Sequence, residues 1–270
     1  MNTMGPFGIA VDVGAEYLET APEIEALGFG TLWVNGGQLD RLDRLRELIE
    51  ATTRAVVAPA VVMPDGYRPG ELGEFYRRVE DRTPGRLVMG LGPLAGAHAS
   101  SRLAQYFGDP EFSIPPNRRL LAAFGPSRLA LAREYCAGAV PMLFTPQGTA
   151  AARRRLGQDR ILALGQYVVM DENPETARDT ARVPLRFLFS MPSYVNSALR
   201  QGFTEDDVNG LSDRLVDSLV AWGTSGQIAE RLREQRTAGA DHVYATVLHD
   251  GQQPGVLDAA RALGPLLFSK

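Results

Sequence analysis

The chain contains one cysteine, Cys136, which excludes an internal disulfide framework. Cys136 falls in a helical apolar pattern, so it is expected in the core and not as a nucleophile. The three histidines, His98, His242 and His249, show no ligand spacing, and neither HExxH nor CxxC occurs. No metal site is therefore expected. No run of about 18 apolar residues exists, so no membrane span is expected. Net charge is −4, with no basic run or basic-aromatic stripe, which argues against nucleic acid as a partner. The GxSxG nucleophile elbow is missing. So is a GxGxxG fingerprint after a strand; GLGPLAG at 90–96 is only superficially similar, because Pro93 and its small neighbours suit a loop. The opening MNTMGPFGIAVDV has no basic region followed by an apolar core. No signal peptide is expected, and the expected address is the cytoplasm.

What is present is a globular composition, 44% hydrophobic and 22% charged over 270 residues. It is enough to bury a large core, read as one domain over 1–270. Periodicity alternates between strand and helix along the chain. Strands are predicted at 7–13, 31–35, 55–63, 86–92, 120–124, 139–145, 160–170 and 241–248. Pro59 is awkward inside a buried parallel strand and predicts a bulge or break in the third. About seventy residues after the seventh strand read as helical, and a last helix is predicted near 254–268. Eight strands with intervening helices fit a closed (β/α)8 barrel, whose usual size is about 250 residues. An open doubly wound sheet is the alternative; it more typically carries a glycine fingerprint after the first strand.

The stretch RLLAAFGPSRLALAREYCAGAV, 119–140, is the most informative. A short apolar run turns through Gly125-Pro126-Ser127 directly into a helix. Proline is tolerated at the first helical position. The free N–H groups there, with the positive end of the helix dipole, form an anion site. Ser127 adds a hydroxyl and Arg128 a charge, so the turn is a candidate phosphate cradle. An ordinary βα loop is the competing reading.

FGIAVDV, TLWVNG, APAVVMPDGYRPGEL, RTPGRLVMGLG, LAAFGPSRLALAREYCAGAVPMLFTP, DRLVDSLVAWG and AGADHVYATVL, in that order, resemble the luciferase-like monooxygenase superfamily. The chain is most similar to actinobacterial members regarded as oxidoreductases that use the deazaflavin coenzyme F-420. The resemblance implies a TIM barrel of the bacterial luciferase-like type with a helical insertion between strands 7 and 8. It also implies a homodimer that binds the deazaflavin or FMN at the C-terminal ends of the strands. Gly125, Pro126, Ser127 and Arg128 match the phosphate turn. Ala60, Val61 and Val62 match a bulge that backs the ring, often through a non-prolyl cis peptide. Gly90 and Gly92 end the fourth strand beside it, and Asn35 and Gly36 end the second. Relatives continue after GLG with a serine-histidine pair; here Pro93-Leu94 stands instead, and 93–118 reads as shorter.

Individual residues carry both a functional and an ordinary reading. Asp12, at the end of strand one, is a candidate to position substrate or relay a proton, or else a loop cap. Asn35 is a candidate partner for a ring or substrate carbonyl, or a turn former before Gly36-Gly37. His249 follows strand eight and is a candidate to give or take a proton, as an imidazole can, or is merely exposed. Gln166 is expected to face inward toward a cofactor. Tyr194 and Asn196, in MPSYVNSALRQGF, are candidates to line a substrate pocket, with Tyr194 alternatively a packing aromatic. Arg128 either offsets phosphate charge or lies on a solvated face. The charged helix at 40–50 and the Arg153–Arg155 run are read as solvated faces.

The reading that follows is hydride transfer between F-420 and a small organic substrate, with the coenzyme carrying the chemistry and the protein orienting it. An FMN-dependent monooxygenase is the first alternative. A cofactor-free barrel that binds or reshapes a hydrophobic small molecule is the second, motivated by the altered 93–118 segment.

Overall fold

The structure, a computed structural model, describes residues 4–14, 16–94, 96 and 98–268. Ala95 and Ala97, within the altered segment after Gly92, lie outside the described residues, as do the first three residues of the N-terminal stretch.

The strands are β1 (Phe7–Val11), β2 (Thr31–Asn35), β3 (Val56–Ala60), β4 (Met89–Leu91), β5 (Arg119–Leu121), β6 (Gly138–Ala139), β7 (Ile161–Val169), β8 (Val220–Trp222) and β9 (His242–Val247). They follow the order β3-β2-β1-β9-β7-β6-β5-β4, with β8 paired to β7 off this path. Every pairing is parallel. Parallel bridges Val57–Leu87 and Val62–Leu91 join β3 to β4 and close the ring. The architecture is therefore a (β/α)8 barrel, as expected.

Helices α1 (Tyr17–Ala26), α2 (Asp43–Ala51), α3 (Pro69–Arg82), α4 (Ala99–Gly108), α5 (Pro126–Tyr135) and α6 (Pro146–Leu156) follow the first six strands. Between β7 and β9 come α7 (Pro174–Leu188), α8 (Pro192–Arg200), α9 (Glu205–Gly210), α10 (Asp213–Leu219) and, after β8, α11 (Ser225–Thr237). The chain closes with α12 (Val256–Phe268). Among the described residues no helix is long and apolar enough to cross a membrane.

Strand parity sorts the core into layers. Residues of one parity, among them Ala10, Trp33, Ala58, Val88, Leu120, Ala163 and Tyr244, pack together inside the barrel. Their neighbours, such as Ile9, Leu32, Val57, Met89 and Val243, pack outward against the helices. A third cluster, including Leu185, Leu188, Leu215 and Leu219, joins the inserted helices to the end of β7 at Val169.

Several expectations need correction. The chain after β7 is not helical throughout: β8 interrupts it, because Val220–Trp222 finds an open edge at Tyr167–Val169. β3 runs through Pro59, which pairs with Val34, and the irregularity falls later, where the Ala60–Val61 peptide is cis. The Arg153–Arg155 run is not uniformly solvated. Arg153 is buried and donates to the carbonyls of Gly239, Gly157 and Arg160 at 2.8, 2.7 and 2.7 Å, and to the Asp241 carboxylate. It binds the end of α6 to the start of β9, and a guanidinium suits that place because its donors fan out in a plane. The helix around 40–50 is solvated as read, with exposed pairs such as Arg44–Asp40 and Arg46–Glu50. Cys136 is buried, and burial pushes its thiol up to about 12, so no thiolate is available at neutral pH.

Candidate active site

The barrel interior is filled from below by an aromatic group. Trp33 Nε1 donates to His242 Nε2 at 3.0 Å, and His242 Nδ1 lies 2.8 Å from the Gly5 carbonyl. Accepting at one nitrogen and donating from the other makes the imidazole neutral. Burial agrees, holding His242 down at about 4. Tyr244 stacks on Trp33 with ring centroids 4.2 Å apart. These rings occupy the lower barrel, so a ligand has room only at the upper mouth, where the strands end and active sites of this architecture form.

Around that mouth, parity aims Asp12, Asn35, Ala60 and Gly90 inward, each two residues beyond an interior residue (Ala10, Trp33, Ala58 and Val88). Val61 is clasped by two glycines: a Cβ on Gly36 or on Gly90 would collide with the carbonyl oxygens of Val61 and Pro59 respectively. A Cβ on Gly92 would collide with Met63 Sδ and come within 3.1 Å of Val61 Cγ2. Val62 then resumes pairing, donating to Gly90 O at 2.9 Å and accepting from Gly92 N at 2.7 Å. Residues 60–62 and glycines 90 and 92 thus form one continuous wall. Asn35 stands beside it with no side-chain hydrogen bond to a described residue.

Asp12 and His249 meet across the β1–β9 seam. His249 Nε2 lies 3.0 Å from Asp12 Oδ2, and Gln38 Nε2 donates to the other oxygen at 3.1 Å. The backbone N–H of Val13 in turn donates to Gln38 Oε1 at 3.3 Å. Two residues considered separately in the sequence are therefore one oriented imidazole-carboxylate pair at the rim.

On the opposite rim, Gly125 caps α5 with no side chain, Pro126 is its first residue and Ser127 is exposed. Arg128 is half-buried and has neither hydrogen bond nor ion pair among the described residues; burial lowers its pKa and the nearby Tyr194 phenol opposes that. The Tyr194 ring lies 4.7 Å from that of Phe124, and its hydroxyl lies 3.5 Å from Met142 Sδ. Burial pushes this phenol up to about 12, so it remains a neutral donor at physiological pH. Tyr167 and Tyr244 are close enough to interact with it, and burial raises both.

Two sequence expectations do not survive. Gln166 does not face the lumen: its parity is opposite to that of Ala163, and it is 2% exposed on the outer side. Its amide donates to the Leu219 carbonyl at 2.8 Å and accepts from Gln235 Nε2 at 3.1 Å. Asn196 is exposed two residues from Tyr194, so the helical turn sends it to the other side of α8. Trp33, His242, Tyr244 and Tyr167 were not singled out from sequence. The signal was available in β2 and β9, where Thr31, Trp33 and Asn35 share one face and His242, Tyr244 and Thr246 another.

No protein-family model matches the chain, and no curated protein matches it by sequence. Solved structures do match. An F420-dependent secondary alcohol dehydrogenase in complex with an F420-acetone adduct is similar, with a TM-score of 0.75 and 13% identity over 97% of this chain and 99% of that one. The coenzyme F420 dependent tetrahydromethanopterin reductase from Methanopyrus kandleri gives a TM-score of 0.74 and 13% identity over 96% and 97%. The oxygenating constituent of 3,6-diketocamphane monooxygenase from Pseudomonas putida, in complex with FMN, gives 0.62 and 12% over 98% and 97%. The fold of this chain is accordingly the luciferase-like barrel on which these deazaflavin and flavin enzymes are also built.

Proposed function

We propose that this chain is an oxidoreductase that binds coenzyme F-420 at the barrel mouth and transfers a hydride between it and a small organic substrate. The observation that carries this reading is Arg128: a half-buried guanidinium with no anionic partner among the described residues, in the first turn of a helix whose N-terminal N–H groups have no side-chain cap. Such a donor set suits a phosphate. We assign Gly125, Pro126, Ser127 and Arg128 to the coenzyme phosphate, and Ala60, Val61, Val62, Gly90 and Gly92 to the wall beside its ring. The close packing of Gly90 and Gly92 against residues 59–63 supports a smooth backbone surface there. When bound, the coenzyme supplies the hydride chemistry.

The chain's own residues orient the substrate and manage its proton. Asp12 holds His249 through Nε2, leaving Nδ1 free to give or take a proton at a substrate oxygen. Asn35 is placed to donate to a substrate carbonyl, and Tyr194 covers the opposite rim. The same reading includes the homodimer expected from the resemblance.

A fluorescence titration of the purified protein with F-420 and with FMN tests the proposal. Micromolar binding of F-420 alone, about −8 kcal/mol, is the expected result. Tight FMN binding in its place transfers the reading to a flavin monooxygenase. Binding of neither leaves a cofactor-free barrel.

A further inference from the structure

Three phenols converge in the upper barrel on the β7–β9 side. Tyr167 and Tyr244 take their places by parity on the inner faces of β7 and β9, in step with Ala163. Tyr194 reaches the same place from α8. Two contacts fix the convergence. A Cβ on Gly165 would stand 2.6 Å from the Tyr244 hydroxyl and 3.2 Å from Met142 Cβ, so Tyr244 lays its hydroxyl in the notch that this glycine leaves beside Met142. The Tyr194 hydroxyl lies 3.5 Å from the sulfur of the same Met142. Tyr167 follows Gly165 by two residues on the same face, and all three phenols are close enough to interact. Thr246, opposite Tyr167 in the β7–β9 register, adds a fourth hydroxyl.

These hydroxyls lack partners. Tyr244 is 3% exposed and Thr246 is 7% exposed, yet neither hydroxyl makes a hydrogen bond with a described residue. The Tyr167 hydroxyl makes none either, and that of Tyr194 meets a thioether, a weak acceptor. Buried hydroxyls are nearly always paired, so donors gathered around one space call for an acceptor. The wall also carries no charge. The cations of the mouth gather elsewhere: Arg155 and Arg200, with Ser197, line the cavity of about 300 Å³ beside Gly125 and Pro126, where the coenzyme phosphate is assigned. Arg128, which interacts with Tyr194, is assigned there too. Burial raises all three phenols, so they stay protonated as neutral donors.

We propose that Tyr167, Tyr194 and Tyr244, with Thr246, bind a carbonyl oxygen of the substrate, which is an uncharged carbonyl compound whose apolar body rests on Met142 and Phe124. A carbonyl oxygen accepts from two donors at once, and hydroxyls both donate and accept, so the remaining two link to it through their neighbours. A carboxylate is disfavoured because the wall offers no cation to offset its desolvation. His249 lies just beyond the end of the strand that carries Tyr244 and Thr246, on the way to the same wall. This inference deepens the proposed function and rests on it for the hydride; the donor pocket itself is made by the protein alone.

Calorimetric titration of the full chain with acetophenone, benzoate and ethylbenzene, with infrared difference spectra of bound carbonyl-labelled acetophenone, tests this. Acetophenone is expected to bind more tightly than the other two, since benzoate brings a charge and ethylbenzene no acceptor. Tyr167→Phe, Tyr194→Phe and Tyr244→Phe should each weaken it about threefold to tenfold, the worth of one neutral hydrogen bond. Each should also move the bound carbonyl stretch to higher frequency. Melting temperatures should hold, because no hydrogen bond to a described nitrogen or oxygen is lost. No acetophenone binding, equal binding of benzoate or ethylbenzene, or an unmoved stretch in all three variants would overturn the proposal. So would lowered melting temperatures with affinity unchanged, which would make the hydroxyls part of the fold. A parallel F-420 titration keeps the two readings apart. F-420 bound without acetophenone sinks this inference alone; acetophenone held by the phenols without F-420 sinks the coenzyme reading alone.

Discussion

Trp33 and His242 are joined by a hydrogen bond of 3.0 Å across 209 residues of sequence, in the lower part of the barrel. The indole donates and the imidazole accepts, and this requires a neutral ring. The unfolded chain takes a proton on His242 near 6.5, whereas the folded chain holds off until about 4. Between those values acid favours the unfolded state. The contribution to stability is complete above 6.5 and is lost as pH falls to 4. It amounts to about 3 kcal/mol. Urea denaturation at a series of pH values should show that loss, and His242→Gln should flatten it.

Gly8 lets these rings pack. A Cβ there would stand 2.8 Å from His242 Nε2 and 2.8 Å from the Thr31 carbonyl. Gly8→Ala is expected to cost about 1–3 kcal/mol by overpacking, read as a lowered melting temperature. An unchanged melting temperature would mean that the ring cluster yields without cost.

The phosphate assignment is tested at Arg128. Arg128→Gln should weaken F-420 binding by about tenfold to a hundredfold, the worth of a charge-assisted contact. Thermal stability should hold, because the guanidinium has no hydrogen-bond or ion-pair partner to lose among the described residues. Undiminished affinity in the fluorescence titration would remove Arg128 from the coenzyme site.

Asp12 and His249 share one hydrogen bond, so under the proposed function their losses should not add. His249→Gln and Asp12→Asn are each expected to lower turnover by about 10²–10⁴-fold, the range of general acid–base catalysis. The double variant should fall no further than the worse single one. F-420 affinity should stay at its original value in all three. Additive losses in steady-state rates would show two separate roles.

Gln166 separates structure from chemistry. Gln166→Leu takes its donor from the Leu219 carbonyl and leaves the Gln235 amide only the Phe144 carbonyl to donate to, at a cost of about 1–3 kcal/mol. Coenzyme affinity should not change, since the side chain lies behind the strand. A selective loss of F-420 binding with stability intact would restore it to the site.

Much of the fold was legible because it is written in short-range pattern. Leu42, Leu45, Leu48 and Ile49 show the helical spacing, and the α2 residues among them are buried. TLWVN is a strand by composition and by structure. VAW was missed: three residues between helices carry almost no period, and only the free edge of β7 makes them a strand. The site was less legible. Gln166 lies in a strand buried on both faces, where polarity alone cannot say which face is the lumen. Arg153 and Arg155 sit in one run of arginines, yet one is buried in a carbonyl cage and the other stands over a cavity.

The sequence by itself determined the order of the eight strands that close the barrel and the turn at Gly125-Pro126-Ser127, because these rest on apolar period, chain length and the fixed backbone of proline. Only the tertiary structure decided that Asp12 meets His249, that Trp33 meets His242, and that Arg155, Arg200 and Ser197 share one cavity. The physical reason is that hydrophobic pattern specifies which face of an element is buried, but not against what. Closing the barrel chooses the partners, and it brings β1 beside β9 from opposite ends of the chain.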